Sequence, residues 1–173
     1  MLKIFDILRA NSVKRWHIVE TNREQRLSEH LFSVSVLAGE IAGQLGLNPG
    51  QVQLVMIAAL FHDIDEIISG DAPTPTKQRI RTAGVEMNDL FKEYKIVDIE
   101  IMAQTIPQIE HIIKCADHLE TVFFLRDHGV GRHASQVNVM LRDKAIKYFA
   151  EAGESGVIAL DLLHKSTTVE YTI

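Results

Sequence analysis

The stretch "LFHDIDEIISGDAPTPTK", residues 60–77, indicates both the fold of this chain and the position of its functional site. It begins as the end of an apolar helix and continues as a proline-rich loop. Charged groups beside apolar residues are costly to bury unless they are paired, hydrogen-bonded or bound to a metal. We therefore expect a functional site where the helix gives way to the loop. The imidazole and the carboxylates at this point are His62, Asp63, Asp65, Glu66 and Asp71.

Apolar residues recur at spacings of three and four on the N-terminal side of this stretch, which predicts two helices. The first covers "LSEHLFSVSVLAGEIAGQLGL", with Ser28 as its N-cap and Gly46 as its stop. The second covers "NPGQVQLVMIAALFHDIDE" and begins with Asn48 and Pro49 in the cap and first-turn positions. Its apolar residues cover almost every face, so we expect it at the centre of a helical bundle.

The C-terminal side is also predicted to be helical. A short helix is expected in "GVEMNDLFKEYK" (84–95) and a long one in "IPQIEHIIKCADHLETVFFLRDHG" (106–129). Two more are expected in "HASQVNVMLRDKAIKYFAEAG" (133–153) and "ESGVIALDLLHK" (154–165), before an extended or irregular tail over 166–173. These patterns predict an all-α fold, a single helical bundle over residues 1–173.

Composition narrows the range of partners. The chain has 173 residues, 46% hydrophobic and 24% charged, which is typical of a globular domain. A net charge of −5 without a basic run disfavours a polymeric nucleic acid as partner. Cys115 is the only cysteine, so no internal disulfide is possible. We find neither a signal-peptide pattern nor a run of about 18 apolar residues, and expect a cytoplasmic protein without a membrane span.

Four polar residues within the apolar helices form a candidate metal site. They are His30, His62, Asp63 and Asp117. Nitrogen and oxygen donors of this kind suit a divalent transition ion such as zinc, cobalt, manganese or iron. Adjacent helical residues diverge by about 100°, so His62 and Asp63 can reach one ion only near a helix end. The alternative for His30 is a hydrogen-bonded core histidine, and the chain's eight histidines weaken any count of imidazoles.

Three motifs together carry a family resemblance. "SEH", "LFHDIDEIISGDAPTPTK" and "KCADHLET" resemble, in order and spacing, the HD-domain phosphohydrolases. Within that family they are similar to the bacterial 5′-deoxynucleotidases and to the phage dATP triphosphohydrolases, with Arg15, Trp16 and Ile18 in the matching upstream segment. One departure is Asp65, where small or neutral residues are common in the bacterial branch.

The resemblance implies a role for each residue around the metal. His30, His62, Asp63 and Asp117 would hold the divalent ion. Glu66 follows His62 by four positions, so a continuing helix would put both on one face, with Glu66 as general base or as orienter of the attacking water. Asp71 would act as an acid or an anchor, or would only cap the loop. Lys77 and Thr74, in the "GDAPTPTK" loop, would bind the phosphate at the scissile bond.

The same resemblance implies how the nucleoside is selected. Trp16 would stack on the base or close the space beside the sugar 2′ carbon, with Arg15 beside it, and Ile18 would shape the purine pocket. The alternative for Trp16 is an aromatic core anchor. Arg79 and Arg81 follow Lys77 and would either neutralise the outer phosphates of a triphosphate or form a solvated helix face.

These roles predict a metal-dependent phosphohydrolase that converts dATP to deoxyadenosine and triphosphate, with additional magnesium conceivable beside the triphosphate. Two alternatives stay open at this point: a 5′-deoxynucleotidase acting on deoxynucleoside monophosphates, and a nucleotide-binding HD domain without turnover. The expected partner is a small deoxynucleotide. Similar proteins form homo-oligomers, and we expect the same here.

Overall fold

Helices make up most of the computed structural model, which describes residues 4–85, 90, 92–94 and 96–166. Short 3₁₀ turns lie at Leu8–Asn11 and Lys92–Tyr94. Over these ranges no strand forms, and the only extended pairing is two isolated antiparallel bridges. The all-α prediction is confirmed. The helices are α1 (Ile4–Ile7), α2 (Leu27–Gln44), α3 (Pro49–Leu60), α4 (Glu66–Ser69), α5 (Thr74–Thr82), α6 (Ile99–Ala103), α7 (Ile109–His128), α8 (Gly131–Glu151) and α9 (Gly153–Lys165).

The main hydrophobic core joins α2, α3, α7, α8 and α9. The predicted central position of α3 is wrong, because only Val55, Ala58 and Ala59 of this helix are buried. The opposite side leaves Leu54 and Ile57 37% and 38% exposed. An apolar side chain is not obliged to be buried, and an all-apolar helix carries no period that tells which face turns inward. The most extensively buried helix is α7 instead.

The helix ends show which local signals decide structure. Asn48 and Gln51 form a reciprocal capping box at the start of α3, with Pro49 in the first turn, as predicted. Gly46 takes a positive φ of 74° just after α2. The prediction of Ser28 as N-cap is wrong, because α2 begins at Leu27. The Leu27 backbone N–H donates to the carbonyl of Val13, so a distant segment caps this helix instead of a side chain.

The region between α3 and α5 is more helical than the sequence indicated. Helix α3 ends at Leu60, residues 61–65 form turns, and the short α4 follows. Gly70 ends α4 with a φ of 73°, and α5 begins at Thr74. The loop predicted to continue to Lys77 is thus confined to residues 70–73. Pro75 lies in the first turn of α5, where its missing N–H removes no helical hydrogen bond.

Two predicted segments fall largely outside the described residues. The helix expected over 84–95 is described only in part, with a 3₁₀ turn at Lys92–Tyr94, and the tail over 167–173 is not described. Within the part of the chain that is described, no helix has both the length and the hydrophobicity needed to cross a bilayer.

The packing of α9 against α8 depends on Gly156. A Cβ added at Gly156 would lie 1.8 Å from the carbonyl oxygen of Phe149, so the two helices would have to separate. We expect Gly156→Ala to lower the free energy of unfolding by about 1–3 kcal/mol or more. The control Gly43→Ala has open space around its Cβ and should raise that free energy by about 0.5–1 kcal/mol. Urea unfolding followed by circular dichroism measures both, and equal stability of the two variants would contradict the close approach.

Candidate active site

Three of the predicted metal ligands come together from different parts of the fold. His30 lies on α2, His62 in the turn after α3, and Asp117 on α7. One ligand atom from each lies within 4.8 Å of the others. The Nε2 atom of His30 is 3.6 Å from Oδ1 of Asp117. Residues separated by more than 80 positions thus form one compact set of donors.

The other nitrogen of each imidazole ring is occupied. His30 Nδ1 lies 2.6 Å from a carboxylate oxygen of Glu120, and His62 Nδ1 lies 2.7 Å from the carbonyl oxygen of Ala59. An acceptor at Nδ1 keeps the proton there and leaves the Nε2 lone pair available. Both Nε2 atoms are buried and have no hydrogen-bond partner. The donor set therefore fits a divalent metal ion, whose histidine ligands are usually oriented in this way.

Asp63 lies at the edge of this cluster. Its Oδ2 is 3.4 Å from His62 Nε2. Burial alone would raise the pKa of Asp63, but the neighbouring His62, together with Lys77, holds it well below its usual range. Burial would likewise lower the pKa of His62, but the Asp63 carboxylate raises it to about 9. The Asp63 carboxylate thus favours a cation at His62 Nε2, which is a proton in the absence of metal and would be replaced by a bound metal ion.

Asp117 is also held ionised by a cation. Lys114, one turn earlier on α7, lies 2.6 Å from Asp117 Oδ2. The Asp117 carboxylate raises the pKa of Lys114 to about 12. Burial acts to raise the pKa of Asp117, but Lys114, His30 and His62 hold it far below its usual range. One oxygen of Asp117 thus faces Lys114 and the other faces the histidines.

A second group of charges adjoins the metal ligands. Lys77 Nζ donates to Glu66 Oε1 at 2.7 Å. Arg15 Nη1 lies 3.9 Å from Glu66 Oε2 and 3.8 Å from Asp71 Oδ1. Burial would lower the pKa of Arg15, but the carboxylates of Asp71 and Glu66 raise it, so the guanidinium stays charged. The predicted catalytic residues Glu66, Asp71 and Lys77 are therefore close together, with Arg15 between the two carboxylates.

Glu66 reaches this position differently from the sequence prediction. The helix does not continue from His62, because residues 61–65 form turns and Glu66 begins α4. Burial raises the pKa of Glu66 to about 8, and the nearby Asp63 carboxylate adds to this effect while Lys77 opposes it. A carboxyl group whose pKa lies near neutrality can both accept and return a proton.

Unpaired polar atoms are concentrated in this region. Over the described residues, five buried side-chain nitrogen or oxygen atoms have no hydrogen-bond partner. Four of them belong to the two clusters: His30 Nε2, His62 Nε2, Glu66 Oε2 and Arg15 Nε. Buried polar atoms are normally paired, so such a group indicates a place for an ion and a polar ligand.

Trp16 lies beside the charged clusters but is also anchored. Its ring stacks on Phe124 with centroids 5.8 Å apart, and its indole Nε1 donates to Gln25 Oε1 at 2.8 Å. The alternative of an aromatic anchor thus describes one face of the ring, and the predicted contact of Trp16 with a substrate stays a prediction. Arg15 and Trp16 belong to an N-terminal segment whose backbone pairs with the residues just before α2. The Arg15 N–H donates to the Gln25 carbonyl there.

Three other predicted residues are not brought into the charged clusters by any described contact. Ile18 is 58% exposed, and Thr74 and Arg79 lie at the surface of their segments. Their predicted roles stay predictions. Sequence analysis in turn missed Gln25, Lys114 and Glu120. Lys114 and Glu120 lie three positions before and after Asp117, a spacing that places them on its face of α7, whereas Gln25 has no local signal.

A group of cations extends the site toward α8. Partial burial lowers the pKa of Lys144, and the charges of Lys114, Arg81 and Lys77 lower it further. Lys144 on α8 is therefore within electrostatic range of these three cations, which lie on α5 and α7. Only Lys77 and Arg81 were singled out by their sequence.

Comparison with known proteins places the chain in a family. The family described as YfbR-like 5′-deoxynucleotidases matches residues 4–124. The chain is 33% identical over 144 residues to the dATP triphosphohydrolase of cyanophage S-2L, covering 81% of this chain and 79% of that protein. It is 34% identical to the dATP triphosphohydrolase of Acinetobacter phage SH-Ab 15497, covering 74% and 68%. It is 29% identical to the 5′-deoxynucleotidase YfbR of Salmonella paratyphi B, covering 81% and 66%.

A solved structure agrees with this assignment. The cyanophage S-2L HD phosphohydrolase DatZ, bound to dA and one catalytic Zn²⁺ ion, superposes with a TM-score of 0.75 at 27% identity, covering 96% of each chain. The present chain belongs to the YfbR-like family of HD phosphohydrolases. The predicted family and the predicted HD-domain fold are confirmed.

The donor set makes a direct prediction about metal binding. We expect His62→Ala and Asp63→Ala to lose bound zinc, because each removes a donor or its adjacent negative charge from a buried cluster. His133→Ala, which changes an exposed histidine on α8, should bind zinc like the unmodified protein. Equilibrium dialysis followed by metal analysis measures the difference. Full zinc retention by His62→Ala would contradict this site.

Proposed function

We propose that this chain is a metal-dependent phosphohydrolase that hydrolyses dATP to deoxyadenosine and triphosphate. The observation that supports hydrolysis is a group of four buried polar atoms without a hydrogen-bond partner. They belong to His30, His62, Glu66 and Arg15. The preference for dATP is supported by the phage relatives named as dATP triphosphohydrolases. The cytoplasmic location and the homo-oligomer expected from the sequence remain proposals.

His30, His62 and Asp117, with Asp63 beside them, would hold the metal. A bound divalent ion lowers the pKa of water and polarises a phosphoryl oxygen. The zinc in DatZ supports zinc as the ion for this donor set, and magnesium accompanying the triphosphate is part of the proposal.

Glu66 is proposed to handle the proton of the attacking water. Its Oε1 is held by Lys77, and its Oε2 is buried without a partner, which leaves one oxygen for a water molecule. The water oxygen bonds to the α phosphorus, its proton passes to Glu66, and the bond from phosphorus to the nucleoside 5′ oxygen breaks. Deoxyadenosine leaves once its 5′ oxygen has gained a proton.

Arg15 and Lys77 are proposed to neutralise the charge on the reacting phosphate. Both cations are already adjacent to carboxylates, so the negative charge that develops in the transition state meets positive groups that are in place. Asp71 lies 3.8 Å from Arg15 and orients its guanidinium. Asp71 is also proposed to supply the proton to the leaving oxygen.

The second group of cations supports a triphosphate substrate. Lys144 is within electrostatic range of Lys77, Arg81 and Lys114, and the outer phosphates are proposed to extend from the α phosphate toward these cations. A nucleoside monophosphate has no outer phosphates that could contact these cations. The alternative, a 5′-deoxynucleotidase acting on monophosphates, is favoured by the family description and by the YfbR relatives.

Substrate analysis decides between these two activities. With zinc present we expect triphosphate to be released from dATP, and much less from ATP or from 2-amino-dATP, with dAMP left intact. Glu66→Gln should reduce kcat by about 10²–10⁴-fold while still binding zinc. Chromatography of phosphate products measures both. Orthophosphate from dAMP with dATP intact would establish the monophosphatase, and binding of dATP without any product would indicate a non-catalytic domain.

The contribution of the outer-phosphate cations can be separated from that of the catalytic residues. We expect Lys144→Met to raise the KM for dATP with little change in kcat, because Lys144 would contact only the outer phosphates. Arg142→Met is the control, since Arg142 is exposed and points about 200° away around α8. Steady-state kinetics on dATP measures both variants. An unchanged KM in Lys144→Met would place the outer phosphates elsewhere.

A further inference from the structure

A buried chain of hydrogen bonds leads from the nucleoside side of the site to the metal ligands. The Trp16 indole N–H donates to Gln25 Oε1, and Gln25 Nε2 donates to Glu120 Oε1. Glu120 Oε2 then contacts Nδ1 of His30. Gln25, His30 and Glu120 are 2%, 0% and 5% exposed, so water does not compete for these bonds.

The chemistry of the first residue fixes the direction of the first two bonds in this chain, and Glu120 as a carboxylate fixes that of the third. An indole nitrogen can only donate, so the oxygen of the Gln25 amide must face Trp16 and its NH₂ must face Glu120. Glu120 therefore accepts on one oxygen. Its other oxygen accepts from His30, which puts the His30 proton on Nδ1. The lone pair at His30 Nε2 then points to the metal cluster, where that atom is buried and unpaired.

Trp16 needs such a support because its backbone is strained. It is the only non-glycine residue with a positive φ among those described, at 65°. A left-handed conformation of a bulky residue is energetically unfavourable and persists only where the surroundings enforce it. Gln25 holds this dipeptide twice, since its backbone carbonyl accepts from the Arg15 N–H and its side chain accepts from the Trp16 indole.

We propose that Gln25 and Glu120 are positioning residues that join Trp16 and the metal ligand His30 into one unit, so that changes at Trp16 alter metal affinity. The proposal rests on the proposed function only in giving Trp16 a place beside the substrate. The proposal concerns a linkage between the position of Trp16 and the metal site at His30, and such a linkage is reciprocal. Bound metal would stabilise the position of Trp16, and a correctly placed Trp16 would favour metal binding.

Zinc affinity, measured by competition with a chromophoric chelator, tests this linkage without any turnover. We expect Glu120→Gln to weaken zinc binding by about 10–100-fold, as is typical for the partner of a metal-bound histidine. Trp16→Phe keeps an aromatic ring but removes the indole N–H that orients the Gln25 amide. It should also weaken zinc binding although Trp16 is not a ligand. Gln25→Leu should do the same.

A double-variant comparison separates linkage from general destabilisation. If Trp16 acts through Gln25, the double variant Trp16→Phe/Gln25→Leu should bind zinc no more weakly than Gln25→Leu alone. Val19→Ala, which trims the apolar cluster around Trp16 without touching the hydrogen bonds, is the control and should keep normal zinc affinity. Thermal unfolding of each apo protein shows whether it is folded.

The single tryptophan provides a second readout. Zinc titration should change Trp16 emission in the unmodified protein, and this response should be lost in Gln25→Leu. Should Gln25→Leu fold poorly, Glu120→Gln gives the same test, because it breaks the chain at its other end. Unchanged zinc affinity in a folded Trp16→Phe, or additive losses in the double variant, would overturn the proposal. Loss of dATP hydrolysis with the zinc linkage intact would count against the proposed function alone.

Discussion

The short ion pair between Lys77 and Glu66 holds the carboxylate on which the proposed chemistry depends, and Arg15 and Asp71 extend this charge group. Removing carboxylates from water is costly, and a buried pair is tolerated only when its geometry is good and its remaining oxygens and protons are satisfied. Lys77 Nζ donates a hydrogen bond to Glu66 Oε1 at 2.7 Å. Arg15 Nη1 lies 3.9 Å from Glu66 Oε2 and attracts it over a longer distance. The second Glu66 oxygen stays unpaired, which leaves a place where chemistry can occur.

Three carboxylates of the candidate site each have a basic side chain as partner. Lys114 pairs with Asp117, His62 with Asp63, and Arg15 with Asp71. The net effect separates two kinds of carboxyl group. The pKa of Asp63 and of Asp117 is held low, so these groups stay negative toward a cation, whereas burial raises the pKa of Glu66 to about 8. Groups whose pKa values are pushed apart in one site are typical of acid and base chemistry.

The N-terminal segment is the part of the fold that places Arg15 in this charge cluster, with Trp16 next to it in sequence. It forms no long helix, and Leu27 and Arg15 bind it to the start of α2 and to the adjacent backbone. Packing of Trp16 on Phe124 and its bond to Gln25 then hold a strained residue in place. Strain of this kind is most often retained at functional sites, since elsewhere it brings no benefit.

Local signals in the sequence were sufficient for most helices. Asn48 and Pro49 specify the start of α3 because both act through the backbone of their own turn. Ser28 failed as a cap because the backbone of Val13, a non-local partner, supplies the acceptor instead. The predicted central position of α3 was wrong for a related reason. A helix with apolar residues on almost every face gives no local indication of which side the rest of the protein covers.

Residue types at short fixed spacings were enough to predict the all-α fold, the position of His62 and Asp63 after a helix end, and the family. The pairing of each carboxylate with its cation, the start of a new helix at Glu66, and the connection of Trp16 to His30 through Gln25 and Glu120 emerge only from the folded chain. These contacts join positions up to 95 residues apart. Their energies depend on burial and direction, which no local pattern of residues contains.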